Sequence, residues 1–265
     1  MLTIYIGEEG AIMKEKDHVK EVFSKNKEAY VSSSTHSTGS DLPLMIEWLK
    51  PKSTMIALDI ATGGGHVAKQ LSRHIGKVIA TDLTEEMLEN TSRHLTSINN
   101  ISYKVADAEN LPFDDHSFDI VTCRIAAHHF PNPDLFVQEV ARVLKQDGKF
   151  LFIDNIAPDD HALDRFNNTL EKMRDYSHVR SRTILEWKSI FADFGLSIEK
   201  EKNRKKTLPY QEWIKRTLDS KNDMNRVEKF ILEASDEIKE YFQVRMEDGC
   251  IISFAIDEWM VLGQK

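Results

Sequence analysis

Residues Met55 to Ile60 form a short apolar run that ends in Ala61-Thr62-Gly63-Gly64-Gly65, and Val67, Ala68 and Leu71 follow at helical spacing. An apolar run of that length, bounded by glycines, reads as a buried parallel strand, and the helical spacing behind it demands a sharp strand-to-helix turn. Consecutive glycines cost conformational entropy, a cost typical of places where the backbone must approach a ligand closely. The pattern then repeats. Lys77 to Asp82 is a second strand, and Thr84 caps a helix with Glu85 and Glu86 in its first turn and Leu88, Thr91, Leu95 and Ile98 on its buried face. Ile101 to Ala106 and Phe118 to Cys123 are further strands. Asn132-Pro133 opens a helix with Phe136, Val140, Val143 and Leu144 facing inward, Gly148 ends that segment, and Phe150 to Asp154 is the fifth strand. This alternation over residues 55–154 predicts an α/β fold: a mostly parallel sheet, helices on both faces, right-handed crossovers, and ligands at the carboxyl ends of the strands.

The flanks are less regular. Val19, Val22, Phe23 and Tyr30 have helical separations, Ser32 to Ser40 is a polar linker and lid candidate, and Asp41 caps a helix with Pro43 in its first turn and Leu44, Met45, Trp48 and Leu49 buried. Beyond the fifth strand, His161 to Tyr176 and Leu185 to Phe194 read as helices, Gly195 stops the second, and Leu196 to Lys202 reads as a strand. Residues 209–247 look mostly helical, and Ile251 to Leu262 is a last strand expected to close the sheet antiparallel. The expected organisation is one domain over 1–265: an N-terminal extension and lid over 1–40, a cofactor-binding core over 41–207, a helical substrate cap over 208–248 and the final strand over 249–265. Gly7-Glu8-Glu9-Gly10 suits a purine-rich ribosome-binding stretch, so translation is expected to start at Met13.

Composition narrows the function. The chain has 265 residues, 35 Lys+Arg against 43 Asp+Glu, and a net charge of −8. An acidic surface has no general attraction for phosphate backbones or anionic membranes, which argues against nucleic acid as a partner. Cys123 and Cys250 are the only cysteines, far apart and without a C-x-x-C, so neither a disulfide framework nor a thiolate metal site is expected. No apolar stretch reaches the roughly 18 residues of a membrane span, and no basic leader opens the chain, so a cytoplasmic protein is expected.

Gly63-x-Gly65-x-x-Ala68 followed by Asp82 also fits the dinucleotide fingerprint, which keeps a nicotinamide-dependent oxidoreductase as an alternative. The wider context differs, with Asp59 ahead of the glycines, Asp107-Ala108-Glu109-Asn110-Leu111-Pro112-Phe113 after the third strand, and Ser117-Phe118-Asp119-Ile120-Val121. With these motifs the sequence resembles the class I S-adenosylmethionine-dependent methyltransferases over residues 40–200, in particular the small-molecule branch that includes the ubiquinone and menaquinone C-methyltransferases. Their fold is a Rossmann-like sheet. The departure is Ala61, where the family usually has its first glycine.

The resemblance implies that Asp59 and the turn from Ala61 through Gly63 to Gly65 hold the methionine end of S-adenosylmethionine. It implies that Asp82 takes the ribose hydroxyls, Leu83 and Met87 flank the adenine, Asp107 accepts from the adenine amino group and the Ala108 N–H donates to a ring nitrogen. Arg124 lines the methionine portion through its backbone. His128 and His129, behind the fourth strand, stand where a histidine can remove a proton from the methyl acceptor; His129 is the preferred base, and at least one of the pair is expected only to pack. Candidates for the acceptor pocket are Tyr30, His36, Asn155, His178, Arg180, Arg182, Trp213 and Arg216, whose cationic members would suit an anionic small molecule.

Asp154-Asn155 matches the magnesium pair of metal-dependent O-methyltransferases, but Cys123-Arg124 stands where those enzymes need a further acid, so no metal is expected. The run Lys200 to Lys206 raises a tRNA-modifying enzyme as a competing class, against the plainer reading of a solvated edge. A non-catalytic cofactor-binding regulator is a third class, and exposed cap helices leave room for a homodimer.

Overall fold

A computed structural model describes residues 12, 14–25 and 41–265. Tyr30, His36, Met13 and the lid linker 32–40 therefore lie outside the described residues. The elements in chain order are a helix over 14–25 (α1), α2 (Asp41–Leu49), β1 (Ile56–Ile60), α3 (His66–Ser72), β2 (Lys77–Asp82), α4 (Glu85–His94), β3 (Ile101–Val105) and β4 (Phe118–Arg124). After a 3₁₀ turn (Ala127–His129) come α5 (Pro133–Val143), β5 (Leu144–Ile156), α6 (His161–Arg174), α7 (Ile184–Asp193), β6 (Ser197–Pro209), α8 (Tyr210–Ile214), α9 (Lys221–Leu232), α10 (Asp236–Tyr241), β7 (Arg245–Glu247) and β8 (Cys250–Gln264).

The sheet runs β3-β2-β1-β4-β5-β8-β6, with β7 paired to β8. Strands β1 to β5 pair parallel, and β8 runs antiparallel to β5, β6 and β7. The order reverses at β1, because β2 lies on one side and β4 on the other. Such a switch point opens a crevice at the carboxyl ends of the two strands, where no crossover covers the edge.

Each face of the sheet is sealed by its own apolar cluster. Phe136, Phe150, Phe152, Trp187, Phe191 and Trp259 dominate one face beneath α5 and α7. Met45, Trp48, Leu49, Val67, Leu71 and Leu151 dominate the other beneath α2 and α3. α7 begins with a complete capping box, in which the Thr183 hydroxyl accepts from the Glu186 N–H and the Glu186 carboxylate accepts from the Thr183 N–H. Thr84 occupies the N-cap position of α4, but its hydroxyl makes no capping bond; the Thr84 N–H instead donates to Asp82.

β6 and β8 outgrow the rest of the sheet. β5 follows β8 only as far as the Ile156–Asp257 pair, whereas β6 continues to Pro209 opposite Ser253. The overhanging ribbon carries a third cluster, Leu208, Trp213, Val227, Ile231, Phe242 and Phe254, which seats α8, α9 and α10. The predicted cap is thus only partly helical, since β7 and the ends of β6 and β8 belong to it. The basic run on β6 is largely neutralised from β8: Arg204 and Lys206 pair with Glu258, and Lys205 pairs with Asp257. Cross-strand ion pairs of this kind extend an edge strand that its lysines alone would leave solvated.

Candidate functional site

The carboxyl ends of the parallel strands converge on a cavity of about 990 Å³, counted out to its open mouth. Asp59 ends β1 among neutral donors. Its Oδ2 accepts from the Thr62 hydroxyl at 2.6 Å and its Oδ1 from the Thr122 hydroxyl at 2.8 Å. Burial pushes its carboxyl up to about 6, against the lowering effect of those hydroxyls. Asp82 ends β2 and organises the turn itself: Oδ2 accepts from the Gly63 N–H at 3.1 Å and Oδ1 from the Thr84 N–H at 3.0 Å. Its pKa is also raised, again by burial.

The glycines divide their labour. Gly63 has a φ of +50° and nothing within 4 Å of where a Cβ would stand, so its missing side chain leaves open space in the cavity wall. Gly65 has a φ of +74°, and a Cβ there would meet Thr91 Cγ2 at 2.5 Å and Leu95 Cδ1 at 2.8 Å. Gly65 therefore serves the packing of α4 and is not among the residues lining the cavity. Ala61 and Ile125, both in the lining, adopt φ values of +51° and +55°. A β-branched residue in the left-handed region is strained, and such strain collects at functional sites.

Asp59, Ala61, Gly63, Asp82, Leu83, Asp107, Ala108, Arg124 and His129 all border this cavity. Met87 does not; it is buried in the core, so the expected place beside the adenine is corrected. His128 also stands outside the lining, as do Asn155, His178 and Trp213. Trp213 is buried in the third apolar cluster with the Arg174 guanidinium 5.1 Å from its ring. Arg180 faces a second, separate groove with Arg165, Lys172 and Arg226. These positions correct the expectation that the acceptor candidates share the first cavity.

The two histidines are held by different partners. His128 Nδ1 lies 2.6 Å from Asp154 Oδ1, and its backbone N–H donates to Asp154 Oδ2 at 3.0 Å. Burial opposes a charge on this ring, yet the Asp154 carboxylate outweighs it and the pKa is raised. His129 Nδ1 faces the Ser177 carbonyl at 3.0 Å, and the Ser177 hydroxyl donates to Asp175 at 2.5 Å. A carbonyl can only accept, so Nδ1 carries the proton and Nε2 keeps its lone pair. Burial and the neighbouring His128 lower the His129 pKa to about 4. His129 is therefore a neutral ring on the cavity wall, and His128 is an ion-paired staple joining the 3₁₀ turn to β5.

A buried ionic chain supports the rim. Arg124 Nε donates to Asp41 at 2.5 Å, Arg204 bridges Asp41 at 3.3 Å and Glu258 at 2.5 Å, and Lys206 reaches Glu258 at 3.1 Å. Asp41 thus opens α2 as a counterion rather than as a simple cap, and its pKa is lowered despite burial by Arg124. No group of three or more metal-ligating side chains occurs among the described residues.

Over the cavity lies α1, which contributes Lys16, Val19 and Phe23 to its lining. Sequence reasoning assigned an extension and lid to residues 1–40 and read Val19 and Phe23 as helical, but it did not name these three as site residues. The spacing i, i+3, i+7 on one helical face was the available signal.

The sequence matches the methyltransferase-domain family model over residues 58–152. It is 38% identical over 246 residues to the uncharacterized methyltransferase YcgJ of Bacillus subtilis, covering 92% of this chain and 97% of that protein. The crystal structure of Bacillus subtilis YcgJ superposes with a TM-score of 0.82 over 84% of this chain and 97% of that one. A shorter similarity, 36% over 110 residues, links the chain to the ubiquinone/menaquinone biosynthesis C-methyltransferase UbiE of Idiomarina loihiensis, covering 39% of this chain and 44% of that one.

Proposed function

The chain belongs to the S-adenosylmethionine-dependent methyltransferases, and on that premise we propose that it methylates a small molecule inside the cavity roofed by α1, with His129 as the base. The observation that carries this reading is the convergence of Asp59, Asp82, Asp107 and the open Gly63 turn on one cavity. The donor set fits the cofactor: a carboxylate for ribose hydroxyls at Asp82, one for the adenine amino group at Asp107, and bare backbone at Gly63.

S-Adenosylmethionine, when bound, supplies a methyl group already activated on a sulfonium. The protein's own work is then alignment, exclusion of water and handling of one proton. Val19 and Phe23 close the apolar side of the roof, with the Phe23 ring edge-on to His129 at 5.1 Å between centroids. His129 Nε2 accepts the acceptor's proton, while Ser177 holds the tautomer that leaves this nitrogen free of hydrogen. Closure by a helix of the same chain supports a small acceptor, and a cytoplasmic setting suits such chemistry. No described helix is long and apolar enough to cross a membrane.

Parallel calorimetric titrations with S-adenosylmethionine, S-adenosylhomocysteine and NADH test the site. Binding of the first two alone is expected; binding of NADH alone would sink the assignment of these residues. In an acceptor screen, His129→Gln should retain affinity for S-adenosylhomocysteine and lose turnover.

A further inference from the structure

Lys16, on α1, meets the two acids that follow β3 on the adenine side of the cavity. Its Nζ sits 2.6 Å from Asp107 Oδ2 and 2.7 Å from Glu109 Oε2. Glu109 is almost wholly buried and anchored in turn, accepting from the Asn132 N–H at 2.6 Å and the Asn132 side-chain amide at 3.2 Å, where α5 begins. The Glu109 N–H donates back to Asp107 Oδ1 at 3.0 Å. Two carboxylates brought this close repel, and a cation between them offsets that repulsion. Burial disfavours the lysine charge, but the bonds to Asp107 and Glu109 outweigh that and raise its pKa.

The same helix reaches the other end of the cavity. Phe23 lies seven residues beyond Lys16, about 10.5 Å along a helix, and packs on His129. Further contacts clamp the helix: Glu15 to Lys172 at 3.4 Å, Ser24 to Glu86 at 3.0 Å and Lys25 to Asp219 at 2.6 Å. Those are exposed or half-exposed pairs of little individual worth, whereas Lys16 is mostly covered and meets two acids.

We infer that Lys16 is a positioning residue of the cofactor site: by bridging Asp107 and Glu109 it fixes the orientation of the adenine-facing carboxylate, and through α1 it sets Phe23 against His129. This rests on the reading above that Asp107 receives the adenine amino group. Each carboxylate oxygen has two lone pairs, so Asp107 can serve lysine and adenine together. Cofactor capture then depends on the closed helix.

The test uses the full chain with S-adenosylhomocysteine as probe. Lys16→Met should weaken binding about tenfold, mostly through faster dissociation, and Lys16→Arg should recover most of the loss. Amide exchange over 14–25 should slow on ligand binding in the unmodified protein and not in Lys16→Met. Unchanged affinity and dissociation in a folded Lys16→Met would overturn the inference. Asp107→Asn separates the two readings. If it too binds normally, the adenine assignment fails; if it alone weakens binding, only the role of Lys16 fails.

Discussion

On the floor of the cavity, Asp59 and Asp82 are satisfied by hydroxyls and backbone N–H groups from their own strands and turns, all neutral donors fixed by the sheet. Where the floor meets the roof, Asp107 and Glu109 add to their local donors an ammonium from a helix 91 residues away in sequence from Asp107. Neutral donors built into a sheet give a site that exists before any ligand arrives and barely notices salt. A cation carried on a separate helix gives a site completed only when that helix is seated on it. The difference separates recognition of the cofactor from its retention.

Removing the organiser of the floor should have the largest effect. Asp82→Ala deletes two bonds that shape the turn and the acceptor proposed for the ribose, about 3 kcal/mol or roughly a hundredfold in S-adenosylhomocysteine affinity by calorimetry. If affinity falls no further than in Lys16→Met, floor and roof are equal partners and the contrast fails. Next, Gly65→Ala should cost about 2 to 3 kcal/mol in denaturant unfolding, because it combines left-handed strain with a clash against α4. Gly63→Ala meets open space, and should cost about 1 kcal/mol of stability yet intrude on the ligand. Equal destabilisation by the two would show that the floor yields where it is expected to be rigid.

A smaller gain should come from Ala61→Gly, which relieves a left-handed alanine and should raise stability by about 1 kcal/mol. The gentlest effect is on pH. A buried carboxyl with its folded pKa raised to about 6 contributes stability that is fully present below its unfolded value near 4 and is lost as pH rises through 6. Relative to Asp59→Asn, the unmodified protein should therefore lose stability between about pH 4 and 6, with a slope no steeper than about 1.4 kcal/mol per pH unit. Thermal unfolding of both proteins across that window is the check, and a flat difference would mean that Asp59 ionises freely.

The floor was legible in the sequence because its parts are local. A strand end, three glycines and an acid at the next strand end lie within one βαβ stretch, and each residue type has its own physical reason to be there. The roof was not. Lys16 is one lysine among several on a charged helix, and nothing in its neighbourhood indicates the acids it meets after folding. Asp41 shows the same limit, since its capping chemistry is local while its pairing with Arg124 and Arg204 is tertiary. The early end assigned to β6, near Lys202, followed the basic run, and the acids that let the strand continue stand on β8. His129 was legible by position, but its tautomer depends on the Ser177 carbonyl, 48 residues further along the chain.

The place of β8 between β5 and β6 has a consequence for synthesis. While the ribosome is still making residues 250–264, β5 presents an open edge, β6 has no neighbour to pair with, and the apolar ribbon beneath α8 to α10 has only half its lining. Such a nascent chain exposes strand edges of the kind that aggregate. A message that ends before β8 is translated would thus yield a product that carries the whole cofactor floor and still cannot bury its own sheet.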